Sequence, residues 1–335
     1  DLMVAEPQER LGLPGVLDLQ AIPELKGIEW RDEALEIGAV TPFSEIRDSP
    51  EVQSSFPALA EAASRIGGWQ IQNRASLGGN MANASPAGDS LPVLLILEAE
   101  VVLVGPEGER RVPYRDFHLG YRETALDPGE IIARVRLPKP PADALQLFRK
   151  VGTREAQAIS KVVVALLASV EDNRISEYRL AAGSVAEVPL RLFEVEEAMV
   201  GRTAKPEVAD LAGHLAAQAV RPIDDVRSTA EYRRFALAQE PAVERLVDAL
   251  ELYGRVAVHH LARSDGLDDG DHHLPEKQVR EQECVGWPLP EELLGPLGAD
   301  RFLQRLAVVG DLLARRAEPR ELAGVARPEV ELHVA

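Results

Sequence analysis

The chain has 335 residues, 45% of them hydrophobic and 27% charged, a composition that supports buried cores and excludes a disordered polymer. Its 37 Lys and Arg stand against 55 Asp and Glu, and the resulting −18 repels nucleic-acid phosphates and anionic lipid headgroups, so neither is expected as a partner. One cysteine, Cys284, cannot make an internal disulfide, a four-thiolate zinc site or a self-contained iron–sulfur cluster, so metal-centred electron chemistry would need another polypeptide. Apolar runs such as Val162–Ala168 and Leu94–Leu97 have core-element length, far below the about 18 to 20 residues of a membrane helix. Asp1-Leu2-Met3-Val4-Ala5 has no basic stretch ahead of an apolar one, and a cytoplasmic location is expected.

In chain order, Val16–Leu19 and Leu35–Val40 read as strands, the second with apolar residues at period two. Thr41-Pro42 and Ser49-Pro50 each put a capping residue ahead of a proline suited to the first helical position, predicting a helix after each, the second over Glu51–Arg65. Val52, Phe56, Leu59, Ala60 and Ala63 give that second helix one apolar face, and Gly67-Gly68 stops it. A polar, glycine-rich segment, Gln70–Ser90, leads to a helix at Leu91–Leu97 and strands at Glu100–Val104 and Ile131–Leu137. Pro138-Lys139-Pro140-Pro141 permits neither helix nor ladder and closes a first domain, 1–141.

A second domain, 145–240, shows long strands at Lys161–Val170 and Ile175–Gly183 joined by the hairpin turn Glu171-Asp172-Asn173-Arg174. Helices follow over Leu192–Val200, Val208–Ala219 and Thr229–Leu237. The remainder, 241–335, is an unassigned tail: Val243–Val256 and Phe302–Arg315 have helical spacing, and polar breakers over Ser264–Asp271 and Glu276–Glu283 lie between them. Its His259-His260, His272-His273 and Cys284 make no metal site, because adjacent histidines point apart on either regular element.

Arg74–Asp89 is unlike the rest of the chain. Gly78 and Gly79 put no Cβ over the backbone, so amides can approach an anion, and Ser76 and Asn80 add side-chain donors beside them. Asp89 adds an acceptor for a ribose or another hydroxyl-bearing group. The pattern suits a dinucleotide's pyrophosphate and sugar, but a tight strand-to-helix turn with satisfied polar residues accounts for the glycines equally well. Neither G-x-G-x-x-G nor G-x-x-x-x-G-K-S/T occurs, which weighs against Rossmann and nucleoside-triphosphatase readings. Ser160 and Ser184 have no His/Asp arrangement around them in sequence, Asp224-Asp225 read as cap or turn residues, and Arg191, Arg227 and Arg233 as ion-pair partners within the second domain.

The string Ile66–Asp89, with Arg74-Ala75-Ser76-Leu77-Gly78-Gly79-Asn80 at its centre, resembles the second flavin-binding loop of the FAD subunit of the molybdenum hydroxylases, the xanthine dehydrogenase and carbon monoxide dehydrogenase family. Similarity continues through Phe117–Arg122, Leu126–Ile132, Phe148–Ser160 and Pro222–Arg233, covering about residues 1–240. The resemblance implies an α+β chain, in which a two-lobed FAD-binding domain of the vanillyl-alcohol oxidase type precedes a smaller α+β domain with an antiparallel sheet and helices. It implies an oxidoreductase subunit carrying FAD, with two-iron two-sulfur clusters on a small partner subunit and the molybdenum cofactor on a large one. NAD, a quinone or dioxygen would take the electrons. No catalytic or metal-binding residue is expected here.

Position by position, the resemblance makes Ser76, Leu77, Gly78, Gly79 and Asn80 wrap the pyrophosphate and Asp89 bond the adenosine ribose. Ile132 and Lys150 approach the flavin, and the charge of Lys150 suits an anionic reduced ring. Asp1-Leu2 match the last residues of the family's first phosphate loop, A-G-G-T-D-L, so Asp1 joins the cofactor set and the chain reads as N-terminally incomplete. Leu119-Gly120-Tyr121-Arg122 and Gly88-Asp89-Ser90 look closer to xanthine dehydrogenase-like members. Two other readings remain: a scaffold subunit that has lost its flavin, and a stand-alone FAD oxidoreductase.

Overall fold

A computed structural model describes residues 17–239. Asp1, Val16 and the expectations for the tail lie outside the described residues. The first layer is a five-stranded antiparallel sheet in the order β1-β2-β7-β3-β4. Its strands are β1 (Ile28–Arg31), β2 (Ala34–Gly38), β3 (Glu100–Gly105), β4 (Gly108–Pro113) and β7 (Ile131–Pro138). Leu35, Ile37, Val101, Leu103, Val135 and Leu137 alternate onto its inner face and enter the first core. The opposite face carries a charge ladder in which Glu36 meets Arg134 and Arg136, each at 3.0 Å, while Arg136 reaches Glu100 at 2.6 Å. A two-stranded ribbon, β5 (His118–Gly120) with β6 (Glu123–Thr124), lies between β4 and β7 in the chain.

Six short helices belong to this part of the chain, α1 (Phe43–Asp48), α2 (Pro50–Ser55), α3 (Pro57–Arg65), α4 (Trp69–Gln72), α5 (Leu77–Asn83) and α6 (Leu91–Ile96), and all but α4 contribute side chains to the same core. Three expectations are corrected here. Leu19–Ala21 is a turn of 3-10 helix, not a strand, and Asp18 caps it by accepting from the Gln20 amide. Thr41 does not cap α1; Pro42 holds that position, and the buried Thr41 hydroxyl instead accepts from the Gly27 amide and donates to the Gly27 carbonyl. The helix expected over Glu51–Arg65 breaks at Phe56, because Pro57 lacks an N–H and excludes the preceding residue from helical geometry, so α3 starts afresh with proline in its first turn. Ser49 does cap α2, its hydroxyl accepting from the Val52 amide.

The next layer is a four-stranded antiparallel sheet, β11-β10-β9-β8, of β8 (Leu145–Val151), β9 (Val162–Glu171), β10 (Arg174–Gly183) and β11 (Leu190–Arg191). The β9–β10 turn has positive φ at both Asp172 and Asn173, the twist-matched hairpin geometry those two residue types tolerate. β9 is buried on both faces, which is why its sequence is almost continuously apolar. Val163, Ala165 and Leu167 join the first core, whereas Val162, Val164, Leu166 and Ala168 join a second, closed by α7 (Phe193–Met199), α8 (Pro206–Ala219) and α9 (Ala230–Ala238). The arginines expected to pair do so: Arg191 with Glu196, and Arg227 and Arg233 with Asp225.

Candidate functional site

The glycine-rich turn folds as the start of α5. Ser76 is its N-cap, with extended backbone and a hydroxyl accepting from the Gly79 amide at 3.2 Å, and Ala84 ends the helix in left-handed geometry. The first turn is stitched to the end of β2. The Gly78 amide donates to the Ala39 carbonyl at 2.9 Å, the Leu77 amide donates to Thr41, and the Ala39 amide donates to Ala133 of β7. Gly78 is required by close approach, because a Cβ there would lie 2.6 Å from the Ala39 Cβ and 2.8 Å from its carbonyl oxygen. Ile132, beside Ala133, is buried on β7 opposite Leu103, next to a register shift. Leu77, Gly78 and Ile132 are thus packing and backbone residues beneath the turn.

The outward groups are Ser76, Gly79 and Asn80, of which Gly79 is exposed and the other two half-buried. A Cβ on Gly79 would meet one atom within 4 Å, the Ser76 hydroxyl at 3.1 Å. Asn80 engages its carbonyl oxygen with the Ser90 hydroxyl at 2.8 Å, which leaves its amide nitrogen as a donor. The Ser76 hydroxyl and the Asn80 carboxamide, beside a glycine with no side chain over its backbone, suit a phosphate, such as that of the FAD that the resemblance implies. Beneath α5, His118 Nε2 donates to the Met81 carbonyl at 3.0 Å. Burial lowers the His118 pKa, partly offset by that bond, so the ring is neutral at neutral pH.

Asp89 and Lys150, given separate ends of a cofactor by the resemblance, stand side by side. Lys150 Nζ lies 2.6 Å from Asp89 Oδ2 and also donates to the Arg65 carbonyl at 2.9 Å, with both side chains under one-tenth exposed. The other carboxylate oxygen accepts from the Ser160 hydroxyl at 2.5 Å. Burial pushes the Asp89 carboxyl up from its ordinary value, against the opposing charge and hydrogen bond of Lys150 and the Ser160 hydroxyl. Sequence reasoning missed Ser160 as a member of this group. It closes the resembling segment Phe148–Ser160, but nothing local announces a partner 71 residues away. Among the described residues, no cluster of three or more His, Cys, Asp or Glu is placed to hold a metal ion, and no helix is long and apolar enough to cross a membrane.

The fold and its likeness to known proteins together define a flavoprotein, an FAD-binding unit followed by an α+β unit. The family described as the FAD binding domain in molybdopterin dehydrogenase matches residues 1–140, and the carbon monoxide dehydrogenase flavoprotein C-terminal domain matches 147–242. The carbon monoxide dehydrogenase medium chain of Hydrogenophaga pseudoflava is 31% identical over 234 residues, covering 70% of this chain and 80% of the relative. A putative xanthine dehydrogenase FAD-binding subunit of Escherichia coli is 31% identical over 220 residues, covering 65% and 75%. The solved Hydrogenophaga pseudoflava carbon monoxide dehydrogenase lacking the Mo-pyranopterin moiety superposes with a TM-score of 0.66 at 31% identity, over 70% of this chain and 80% of that one. The chain belongs to the family of FAD subunits of molybdenum hydroxylases, and is an oxidoreductase subunit.

Proposed function

We propose that this chain is the electron-relaying subunit of a heteromeric, cytoplasmic molybdenum hydroxylase of the xanthine dehydrogenase-like kind. A small iron–sulfur subunit supplies the electrons, a large molybdenum subunit oxidises the substrate, and NAD, a quinone or dioxygen is the final acceptor. FAD supplies the two-electron redox chemistry when bound. In this reading the FAD-binding domain spans 1–141 and the second domain 145–240.

The observation that carries the reading is the glycine turn, where the Ser76 hydroxyl and the Asn80 amide nitrogen are donors beside the open Gly79, on a helix start locked from behind by Gly78. These residues hold the pyrophosphate, and Leu77, Gly78 and Ile132 keep the turn in place. Asp1 contributes from the first phosphate loop. Because Asp89 and Lys150 form one ion pair, they serve a single part of the flavin nucleotide. Lys150 supplies positive charge there, and Asp89 holds it in place.

The test is purification with native partners, followed by assay of flavin, iron and molybdenum per chain. Yellow protein carrying all three is expected. A colourless complex refutes the flavin reading and leaves a scaffold, and flavin without iron or molybdenum indicates a stand-alone oxidoreductase.

A further inference from the structure

We propose that Ser184 and Ser160 form a positioning clamp that fixes the Asp89 carboxylate, and through it Lys150, where the two domains meet. The flavin consequence rests on the function proposed above, whereas the clamp rests on the hydrogen bonds. Ser184 follows β10 with a φ of 63°, a left-handed conformation that residues other than glycine hold only when their surroundings over-determine it. Each of its polar groups is engaged. The Ser184 amide donates to the Pro86 carbonyl at 2.8 Å, its hydroxyl donates to the Ser160 carbonyl at 3.0 Å, and its own carbonyl accepts from Arg233 at 2.9 Å.

Those bonds join the loop that carries Asp89, the segment that carries Ser160, and α9. Arg233, 4% exposed, is itself held by Asp225 at 2.7 Å and by the Lys161 carbonyl at 2.8 Å. A Cβ on the preceding Gly183 would lie 3.1 Å from the Pro86 carbonyl oxygen, so the strand end already presses on the Asp89 loop. Ser160, 1% exposed, then donates its hydroxyl to Asp89 Oδ1 while Lys150 occupies Oδ2. Both oxygens of the carboxylate therefore have fixed partners. Stability alone does not call for this, because well-packed apolar side chains replace buried ion pairs at little or no loss. A strained serine and a buried arginine held around one ion pair point instead to a pair whose orientation matters. Neither serine belongs to the exposed turn, so both act through Asp89.

The test compares Ser160→Ala, Ser184→Gly and the conservative Ser160→Thr in the full chain with its native partners. It reads FAD affinity, the midpoint potential of bound flavin and, in flavin-free protein, the carbon-13 titration of the Asp89 carboxyl, which Lys150 faces as its charged neighbour. Loss of a hydrogen bond to a charged group predicts FAD binding about tenfold weaker in Ser160→Ala, with a shifted potential and an Asp89 titration moved upward. Threonine restores all three, and Ser184→Gly moves them in the same direction although glycine relieves the φ strain. Folded Ser160→Ala with affinity within about twofold of wild type and an unmoved Asp89 titration overturns the clamp. Wild-type protein that binds no FAD refutes the flavin reading instead, and the Asp89 titration still decides the clamp.

Discussion

Gly78 and Gly79 are neighbours in α5, yet alanine at each has a different expected effect. At Gly78 the new Cβ would lie 2.6 Å from the Ala39 Cβ and 2.8 Å from the Ala39 carbonyl oxygen, atoms held by the β2 end and unable to swing away. Overpacking against atoms that cannot move costs about 2–3 kcal/mol, the upper part of the usual range, and the better helix propensity of alanine returns about 1 kcal/mol, for a net loss of about 1–2 kcal/mol. At about 2–4 °C per kcal/mol for a chain of this size, the melting temperature falls by about 2–8 °C.

At Gly79 the Cβ meets only the Ser76 hydroxyl, at 3.1 Å. Part of a cap worth about 1 kcal/mol is lost while propensity returns a similar amount, so the melting temperature stays within about 2 °C. The methyl group nevertheless stands between Ser76 and any bound phosphate. Losing one or two hydrogen bonds there weakens FAD about tenfold or more. Thermal melts of both variants, paired with fluorescence titrations of FAD, separate the two effects. Gly78→Ala as stable as wild type would refute the packing argument, and Gly79→Ala with undiminished FAD affinity would refute the location of the phosphate site.

Three further outcomes are expected. Lys150→Met leaves the Asp89 carboxylate buried with Ser160 alone and costs about 3–5 kcal/mol by urea unfolding; the Asp89→Leu, Lys150→Met double variant loses less than the two singles summed, and strict additivity would show that the pair is not coupled. Burial opposes ionisation of Asp225, but the Arg227 and Ser228 amides and the Arg233 guanidinium outweigh it and bring its carboxyl to about 2. Its folded value is below the unfolded one, so its stabilisation, on the order of 2 kcal/mol, is complete above about pH 4 and disappears as the pH falls toward 2. The stability gap between wild type and Asp225→Asn therefore closes in acid, and a gap unchanged with pH would contradict the assignment. Asn173→Val puts a β-branched residue at a φ of 61° and lowers stability by about 1–2 kcal/mol, whereas Asn173→Gly does not; equal melting curves for the two would count against the hairpin geometry.

Much of the fold is written in short-range signals. Ser49-Pro50 caps α2, Asp172-Asn173 turns the β9–β10 hairpin, and the apolar run of β9 marks a strand covered on both faces, because caps, turns and periodicity act over a few residues. The break at Phe56 was equally local, since Pro57 forbids a continuous helix, and reading the apolar face across it hid the break. The resemblance over Ile66–Asp89 placed the glycine turn and the family. The sequence by itself therefore determined most of the elements, the family and the place of the glycine turn.

Only the tertiary structure decided which of those residues face outward and which act together. Gly78 packs against Ala39 while Gly79 stays open, a distinction invisible in two adjacent glycines. Asp89 meets Lys150 across 61 residues and Ser160 across 71, and Ser184 joins the Asp89 loop and the Ser160 segment to Arg233. Such contacts leave no period or spacing in the chain, because they are made by the stacking of two cores on opposite faces of β9 and not by the local preference of any residue.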